Sequence, residues 1–255
     1  MTATTLPDGW QAEPACLRDK VILVTGAGDG IGRACALAFG RLGATVILLG
    51  RTQEKLESVY DEIKANGGAT PAMVPLNLAA AGAREFAQLA DMFDAEFHRL
   101  DGIVHCAATL GDITPLEIYL PETWGQVMQV NLTAPFLLTQ AMMPLLKAAP
   151  SASVVFVTSS VGRKGRAFWG AYAASKAGIE NLTQTFADEC EHLGRLRFNA
   201  VNPGATRTVM RAKAYPAENP MTVKQPAEIV PLFAWLMSDD SRDVNGRSLD
   251  AQPRR

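Results

Sequence analysis

A tyrosine and a lysine stand four residues apart in the segment Tyr172-Ala-Ala-Ser-Lys176. Residues at this spacing share one face of a helix. A neighbouring ammonium lowers a tyrosine pKa by favouring the phenolate, which helps the phenol to exchange a proton with a carbonyl or alcohol oxygen. Ser159 precedes them and directly follows an apolar run, where its hydroxyl can bind a substrate oxygen. The three residues predict acid–base chemistry at an oxygen atom.

Spacing alone is weak evidence, because Tyr60 and Lys64 are also four residues apart. That second pair lies in a polar helical segment and is typical of a solvated helix face. Tyr172 instead has small neighbours that leave room for a ligand, namely Ala171, Ala173 and Ala174. The surroundings therefore favour Tyr172 and Lys176 as the reactive pair.

A glycine-rich loop lies between the first apolar run and the first helical segment. Glycine permits positive φ and lets backbone amides approach a pyrophosphate closely, and the following helix N-terminus favours an anion. A glycine loop in this strand–helix setting predicts dinucleotide binding. The residues expected to bind are Gly26, Gly28, Asp29, Gly30, Ile31 and Gly32.

The residues after the second apolar run indicate which dinucleotide binds. An NAD-binding protein usually has Asp or Glu there for the ribose hydroxyls, whereas this chain has Arg51 and Thr52. No carboxylate stands there to repel a 2′-phosphate, and Arg51 can make charge-assisted contacts to it. An ordinary surface arginine is the alternative, and Asp29 is a counter-indication, since some NADP-binding loops carry a basic residue there. The pattern favours NADP(H) over NAD.

These residues must be positioned by strands and helices that alternate along the chain. The apolar runs are Lys20–Thr25, Ala44–Leu49, Ala72–Leu76, Asp101–Cys106, Ser153–Thr158 and Leu196–Val201. The predicted helices span about 31–42, 53–66, 83–99, 122–149 and 169–193. The helix at 122–149 is expected to be bent or interrupted near Asn131 and Pro135. Continuous Val, Ile and Leu runs indicate strands buried on both faces. The pattern predicts one doubly wound α/β domain with a mostly parallel sheet.

Composition excludes several classes of protein. The 255 residues are 48% hydrophobic with a net charge of −2, which argues against disorder, nucleic-acid binding and attachment to anionic membranes. The cysteines, Cys16, Cys35, Cys106 and Cys190, are too scattered for a disulfide framework or a metal site, and free thiols fit a reducing compartment. With no signal peptide or long apolar span recognised, a cytoplasmic protein is expected.

Five motifs together make the chain resemble a short-chain dehydrogenase/reductase from about residue 19 to residue 250. They are TGAGDGIG at 25–32, Asn131 in VNLTAPF, Ser159 in TSSVGRKG, YAASK at 172–176 and NPGATRT at 202–208. The resemblance implies a seven-stranded Rossmann fold with helices on both faces and hydride transfer with NAD(P). It also implies a homodimer or homotetramer that forms through the helices at about 122–149 and 172–193.

The resemblance also implies a role for each matching residue. Tyr172 would be the general acid/base, Lys176 would lower its pKa and bind the nicotinamide ribose, and Ser159 would hold the substrate oxygen. Asn131 would support a water-linked proton relay to Lys176, with a satisfied side chain at a helix kink as the alternative. Further cofactor-binding residues would be Asn77 and Leu78 near the adenine, Ala107, and Pro203, Gly204, Thr206 and Thr208 near the nicotinamide.

The chain departs from the family pattern at two places. His105-Cys106-Ala107-Ala108 stands where Asn-Asn-Ala-Gly is usual, and Gly246–Gln252 (GRSLDAQ) replaces the usual Val-Asp-Gly-Gly. An N-terminal extension at 1–18 precedes the domain at 19–255, and a substrate lid is expected at about 209–225.

The leading function is an NADP(H)-dependent carbonyl reductase or alcohol dehydrogenase that acts on a small or medium, mainly apolar substrate. Reduction of 3-oxoacyl thioesters is an alternative, for which Arg163, Lys164 and Arg166 would supply a basic surface for an acyl carrier. A catalytically silent NADP-binding regulator is a third hypothesis, although such proteins usually lose the Tyr–Lys pair. No metal, nucleic acid or membrane partner is expected.

Overall fold

The computed structural model describes residues 5–252, so residues 1–4 of the predicted extension and residues 253–255 of the predicted domain lie outside the described residues. One sheet contains seven strands in the order β3-β2-β1-β4-β5-β6-β7. The strands are β1 (Val21–Thr25), β2 (Thr45–Gly50), β3 (Ala72–Pro75), β4 (Gly102–His105), β5 (Ala152–Val157), β6 (Leu196–Asn202) and β7 (Ser248–Asp250). Every pairing between them is parallel. The predicted fold class is confirmed, with a sheet that is parallel throughout.

Helices cover both faces of the sheet. They are α1 (Gly30–Arg41), α2 (Gln53–Ala65), α3 (Ala83–Phe97), α4 (Pro121–Met128), α5 (Ala134–Ala148), α6 (Ser160–Arg163), α7 (Gly170–Glu189), α8 (Val209–Ala214) and α9 (Pro226–Met237). Ile22 and Val24 of β1 pack with α1, α2 and α9, whereas Leu23 packs with α3, α5 and α7. Successive strand residues point to opposite faces, so an unbroken apolar run buries both faces.

A π-helical turn, Gln129–Thr133, joins α4 to α5. It coincides with the interruption that the sequence predicts near Asn131. Turns of this kind carry one extra residue and often occur at functional sites. Asn131 is buried here, with 1% of its surface exposed.

The part of the N-terminal extension that the structure describes packs on its own chain. The Trp10 indole donates a hydrogen bond of 2.8 Å to the Asp240 carboxylate, and Leu17 is fully buried in the core. The predicted lid segment contains α8 and a short 3₁₀ turn, Pro220–Thr222. Across residues 5–252, none of the helices has both the length and the apolar character needed to cross a lipid bilayer.

Candidate active site

A cleft of about 590 Å³ lies at the carboxyl ends of the strands. Adjacent strands β1 and β4 connect in opposite directions across the sheet, and open parallel sheets bind ligands at such a position. The structure brings Ser159, Tyr172, Lys176 and all the predicted cofactor residues to this cleft. Those cofactor residues are Gly26, Gly28, Asp29, Gly30, Ile31, Gly32, Arg51, Thr52, Asn77, Leu78, Ala107, Pro203, Gly204, Thr206 and Thr208. Asn131 lies outside the cleft lining.

The glycine loop is packed so closely that side chains do not fit. Gly26 has a φ of +67°, and a Cβ there would lie 3.0 Å from the Ala107 backbone. A Cβ on Gly32 would lie 2.3 Å from the Gly26 carbonyl oxygen. The Ala107 amide also donates to the Thr25 hydroxyl at 3.1 Å, which ties β1 to the end of β4. The loop therefore leaves its backbone and the α1 N-terminus open to an anionic ligand.

Asp29 caps α1 and is paired with a lysine that the sequence reasoning missed. Its carboxylate accepts from the Gly30 amide at 2.7 Å and from the Lys55 ammonium at 2.5 Å. The Lys55 hydrogen bond is the main reason that the pKa of Asp29 is lowered. Lys55 lies in the first turn of α2 and lines the cleft together with exposed Arg51. The negative charge of Asp29, which counts against NADP binding, is therefore balanced by the positive charge of Lys55.

Tyr172 and Ser159 meet at the other end of the cleft. Tyr172 is half-buried, and removal of its phenol from water raises its pKa to about 12, although a hydrogen bond with Ser159 lowers it in part. The expectation that Tyr172 has a lowered pKa is therefore wrong for this structure, because desolvation outweighs the other effects. At neutral pH Tyr172 carries its proton and can act as an acid.

Lys176 lies one turn along α7 with its side chain buried. Its ammonium donates to the Val157 carbonyl at 2.7 Å and lies 5.6 Å from the centroid of the Tyr172 ring. Burial lowers the pKa of Lys176 to about 8. The group is therefore still mainly cationic at neutral pH and lies close to the phenol.

Asn131 connects two walls of the site through its side chain. Its Oδ1 accepts from the Thr109 amide at 2.8 Å, and its Nδ2 donates to the Thr109 carbonyl at 2.9 Å. Nδ2 also donates to the Ser175 hydroxyl at 3.1 Å, and Ser175 donates to the Tyr172 carbonyl at 2.8 Å. The π turn thus links the chain after β4 to the backbone of α7.

His105, one of the departures from the family pattern, is a neutral buried residue. Its ring stacks on Phe156 at 4.8 Å, and its Nε2 lies 2.9 Å from the Thr139 hydroxyl. Burial, together with the nearby positive charge of Lys176, lowers the pKa of His105 to about 3. The imidazole therefore adds no charge behind the reactive pair.

The altered C-terminal finish supports the turn that follows β6. The Gln252 amide donates to the Pro203 and Ala205 carbonyls at 2.8 Å each. It lies so close to Gly204 that a Cβ there would be 3.0 Å from Nε2. Gln252 thus packs the C-terminal segment against the turn after β6, although the usual Val-Asp-Gly-Gly sequence is absent. The sequence pattern alone contained no signal for this contact.

Two aromatic side chains that the sequence reasoning missed also line the cleft beside Tyr172. The Trp169 ring centroid lies 5.7 Å from that of Tyr172 and 5.9 Å from that of Tyr215. The Tyr215 hydroxyl also accepts from the Arg166 guanidinium at 2.9 Å.

The arginine side chains of the basic segment 163–166 make contacts within the chain. The Arg163 guanidinium bonds to Asp250 at 2.7 Å and to Glu180 at 3.2 Å. Arg166 is bonded to Tyr215. Two of the three charges proposed for an acyl carrier therefore have partners already.

The comparisons with known proteins agree with this geometry. The family model of the short chain dehydrogenases matches residues 20–219. The oxidoreductase YciK of Escherichia coli K12 is 50% identical over 246 residues, which cover 96% of this chain and 97% of that protein.

Solved structures of similar sequence have the same fold. A short chain dehydrogenase of Shigella flexneri 2a strain 301, complexed with NADP, is 50% identical with a TM-score of 0.92 and covers 94% of this chain and all of its own. A short chain dehydrogenase of E. coli CFT073, complexed with NADPH, has the same identity, TM-score and coverage. The protein belongs to the short-chain dehydrogenase/reductase family.

Proposed function

We propose that this protein is an NADP(H)-dependent oxidoreductase that interconverts a carbonyl compound and its alcohol. The observation that carries the proposal is the meeting of Ser159, Tyr172 and Lys176 in the same cleft as the glycine loop. A proton-donating phenol beside a buried ammonium suits proton transfer to a developing alkoxide.

The glycine loop, Arg51 and Lys55 support NADP(H) as the cofactor. The loop leaves room for a pyrophosphate at the α1 N-terminus, Arg51 suits a 2′-phosphate, and Lys55 offsets the Asp29 charge that would repel that phosphate. The two relatives described above as NADP and NADPH complexes are consistent with this choice. When bound, the nicotinamide would supply or accept the hydride.

The chain's own residues would handle the proton and the substrate oxygen. Ser159 would donate a hydrogen bond to the carbonyl oxygen, and Tyr172 would transfer its phenolic proton to that oxygen. The Lys176 ammonium would stabilise the phenolate that forms, because opposite charges attract strongly where water is excluded. Asn131 would hold Tyr172 and Thr109 in place, and its proton-relay role stays a prediction.

The segment 209–225 would serve as the substrate lid of a single catalytic domain. Thr206 and Thr208 would hold the carboxamide end of the cofactor. We also propose a cytoplasmic location, which the four free cysteines support. Assembly as a homodimer or homotetramer is a further part of the proposal, and the exposed Phe136 on α5 supports it.

Replacing Tyr172 with Phe tests the function. We expect NADPH oxidation to fall by about 10²–10⁴-fold with every carbonyl substrate, while NADPH affinity measured by calorimetry stays unchanged. Tyr60→Phe, in the other Tyr–Lys pair, is the matched control and should keep full activity. Unchanged turnover in Tyr172→Phe would exclude the proposed mechanism. Tight NADPH binding by the wild type without turnover of any aldehyde, ketone or alcohol would favour the silent regulator.

A further inference from the structure

The Tyr172 end of the cleft has an aromatic wall, in which Trp169 contacts both Tyr172 and Tyr215. The cleft is also lined by the apolar side chains Leu110, Val130, Met210 and Ala214 and by the polar side chains Thr109 and Gln126. Arg211 also lines this end, but its guanidinium bonds to Glu218 at 2.6 and 2.7 Å and packs on the Tyr215 ring at 3.7 Å. This end therefore offers little free charge to a ligand.

Trp169 occupies a central position in this aromatic wall. Its plane is tilted by 60° from that of Tyr172 and by 38° from that of Tyr215. Neither neighbour stacks flat on the indole, and Trp169 remains half-buried while it lines the cleft. Part of its surface is therefore available to a ligand ring next to the reactive phenol.

We propose that the substrate carries an uncharged aromatic ring next to its carbonyl group, and that Trp169 binds this ring. This inference rests on the proposed function, because it assumes that the carbonyl oxygen meets Tyr172 and Ser159. Aromatic pairs gain stability beyond the area that they bury. A saturated ring of the same size buries similar area against Trp169 but gains less from the indole face.

A charged substrate fits this end of the cleft less well. A buried carboxylate or phosphate needs a partner, and the candidate cations, Arg211 and Arg166, are bonded to Glu218 and Tyr215. An anion that binds Arg211 would compete with Glu218, and both side chains of this pair are only 26% exposed. The chemistry of the wall thus favours a neutral aryl ketone or aldehyde.

The kinetic test compares acetophenone with cyclohexyl methyl ketone, which differ in the saturation of one ring. The ratio of their kcat/KM values is measured in wild type, Trp169→Phe and Trp169→Leu, so intrinsic reactivity cancels between the proteins. We expect Trp169→Phe to keep the ratio and Trp169→Leu to shift it toward the saturated ketone by about 2-fold to 10-fold, mainly through KM. Phe168→Leu is the matched control, because Phe168 is adjacent, 53% exposed and outside the cleft lining.

A binding measurement separates the ring site from turnover. Titration calorimetry of 1-phenylethanol and 1-cyclohexylethanol into the NADPH-loaded protein requires no reaction. If 1-phenylethanol binds more tightly than 1-cyclohexylethanol, and this preference is lost in Trp169→Leu, the aromatic site is supported. If no carbonyl is reduced at the same time, only the proposed function fails. Two results would overturn the inference: equal binding of the two alcohols by the wild type, or an unchanged kinetic ratio in a folded Trp169→Leu protein. Normal turnover of a carbonyl substrate in that case would still support the proposed function.

Discussion

At the glycine-loop end of the cleft the paired charges are about half in solvent, whereas at the Tyr172 end the reactive Lys176 is buried. The side chains of Lys55 and Asp29 are about half exposed, at 54% and 52%, but Lys176 is 2% exposed. Exposed charge pairs contribute little individually and are screened by salt. Groups that are removed from water instead respond strongly to their surroundings, and desolvation shifts the pKa values of both buried Lys176 and half-buried Tyr172.

This difference separates affinity from reactivity within one cleft. At the loop end, cofactor affinity should come from many small contacts, including contacts to the backbone of the glycine loop, which no side chain covers. At the Tyr172 end, each group has a specific chemical task, so removing one should change the rate far more than it changes cofactor affinity. Four experiments test this difference.

Ser159→Ala should have the largest effect of the four. Loss of a hydrogen-bond donor at the substrate oxygen typically lowers kcat by about 10²–10³-fold. Steady-state kinetics should show this fall while NADPH affinity stays the same. Ser160→Ala, at the exposed neighbouring position, is the control. A matching loss of NADPH affinity in Ser159→Ala would contradict the division between the two ends.

Raising the pH should remove reductase activity through Lys176. Its lowered pKa of about 8 means that the cation is present below that pH and is lost above it. The Tyr172 phenol stays protonated throughout, because its pKa is raised to about 12. We expect kcat for reduction to fall about tenfold per pH unit above the Lys176 pKa. A pH–rate profile that stays flat to about pH 10 would contradict the expected loss of the Lys176 cation near pH 8.

Gly32→Ala should weaken cofactor binding at the loop end. The new Cβ would lie 2.3 Å from the Gly26 carbonyl oxygen, so the loop must shift at a cost of about 1–3 kcal/mol. Calorimetry should show NADPH binding weakened by about 10-fold to 100-fold. Gly125→Ala is the control, because nothing lies within 4 Å of its added Cβ. A folded Gly32→Ala protein with wild-type affinity would disprove the close-packing argument.

Arg51→Ala and Lys55→Ala should have the smallest effects. Each removes an exposed charge, so NADPH affinity should weaken by about 2-fold to 5-fold, less at high salt, while NADH affinity is unchanged. Lys64→Ala, at the far end of α2, should change neither affinity. If NADH binds more tightly than NADPH and Arg51→Ala does not weaken NADPH, the interpretation of Arg51 is wrong.

Features with a local cause could be predicted from sequence. The strand VILVT is buried on both faces as its unbroken apolar run indicates, and the i,i+4 spacing places Tyr172 and Lys176 together. The interruption near Asn131 also has a local signal, because Pro135 cannot donate a hydrogen bond to the preceding turn. The lid segment was harder to predict, because α8 is a six-residue helix, Val209–Ala214, with a Thr208 cap in a region of mixed sequence.

Features that depend on tertiary contacts could not be predicted. Lys55 reaches Asp29 because α2 packs beside the glycine loop, and Gln252 reaches the 203–206 turn because β7 lies next to β6. Neither residue belongs to a motif. The direction of the Tyr172 pKa shift was missed for a related reason, since spacing identifies the nearby ammonium but says nothing about the amount of protein around the phenol.

During folding, the bond from Gln252 to the 203–206 turn should form late. It joins residues that are 47 positions apart, and the Ala107–Thr25 bond joins residues that are 82 apart. Contacts between distant parts of a chain are slow to form, and a parallel sheet consists of such contacts. In a refolding experiment, helical signal should therefore return before NADPH binding does. Added NADPH would then favour the completed fold, because a ligand that binds only the native state stabilises it.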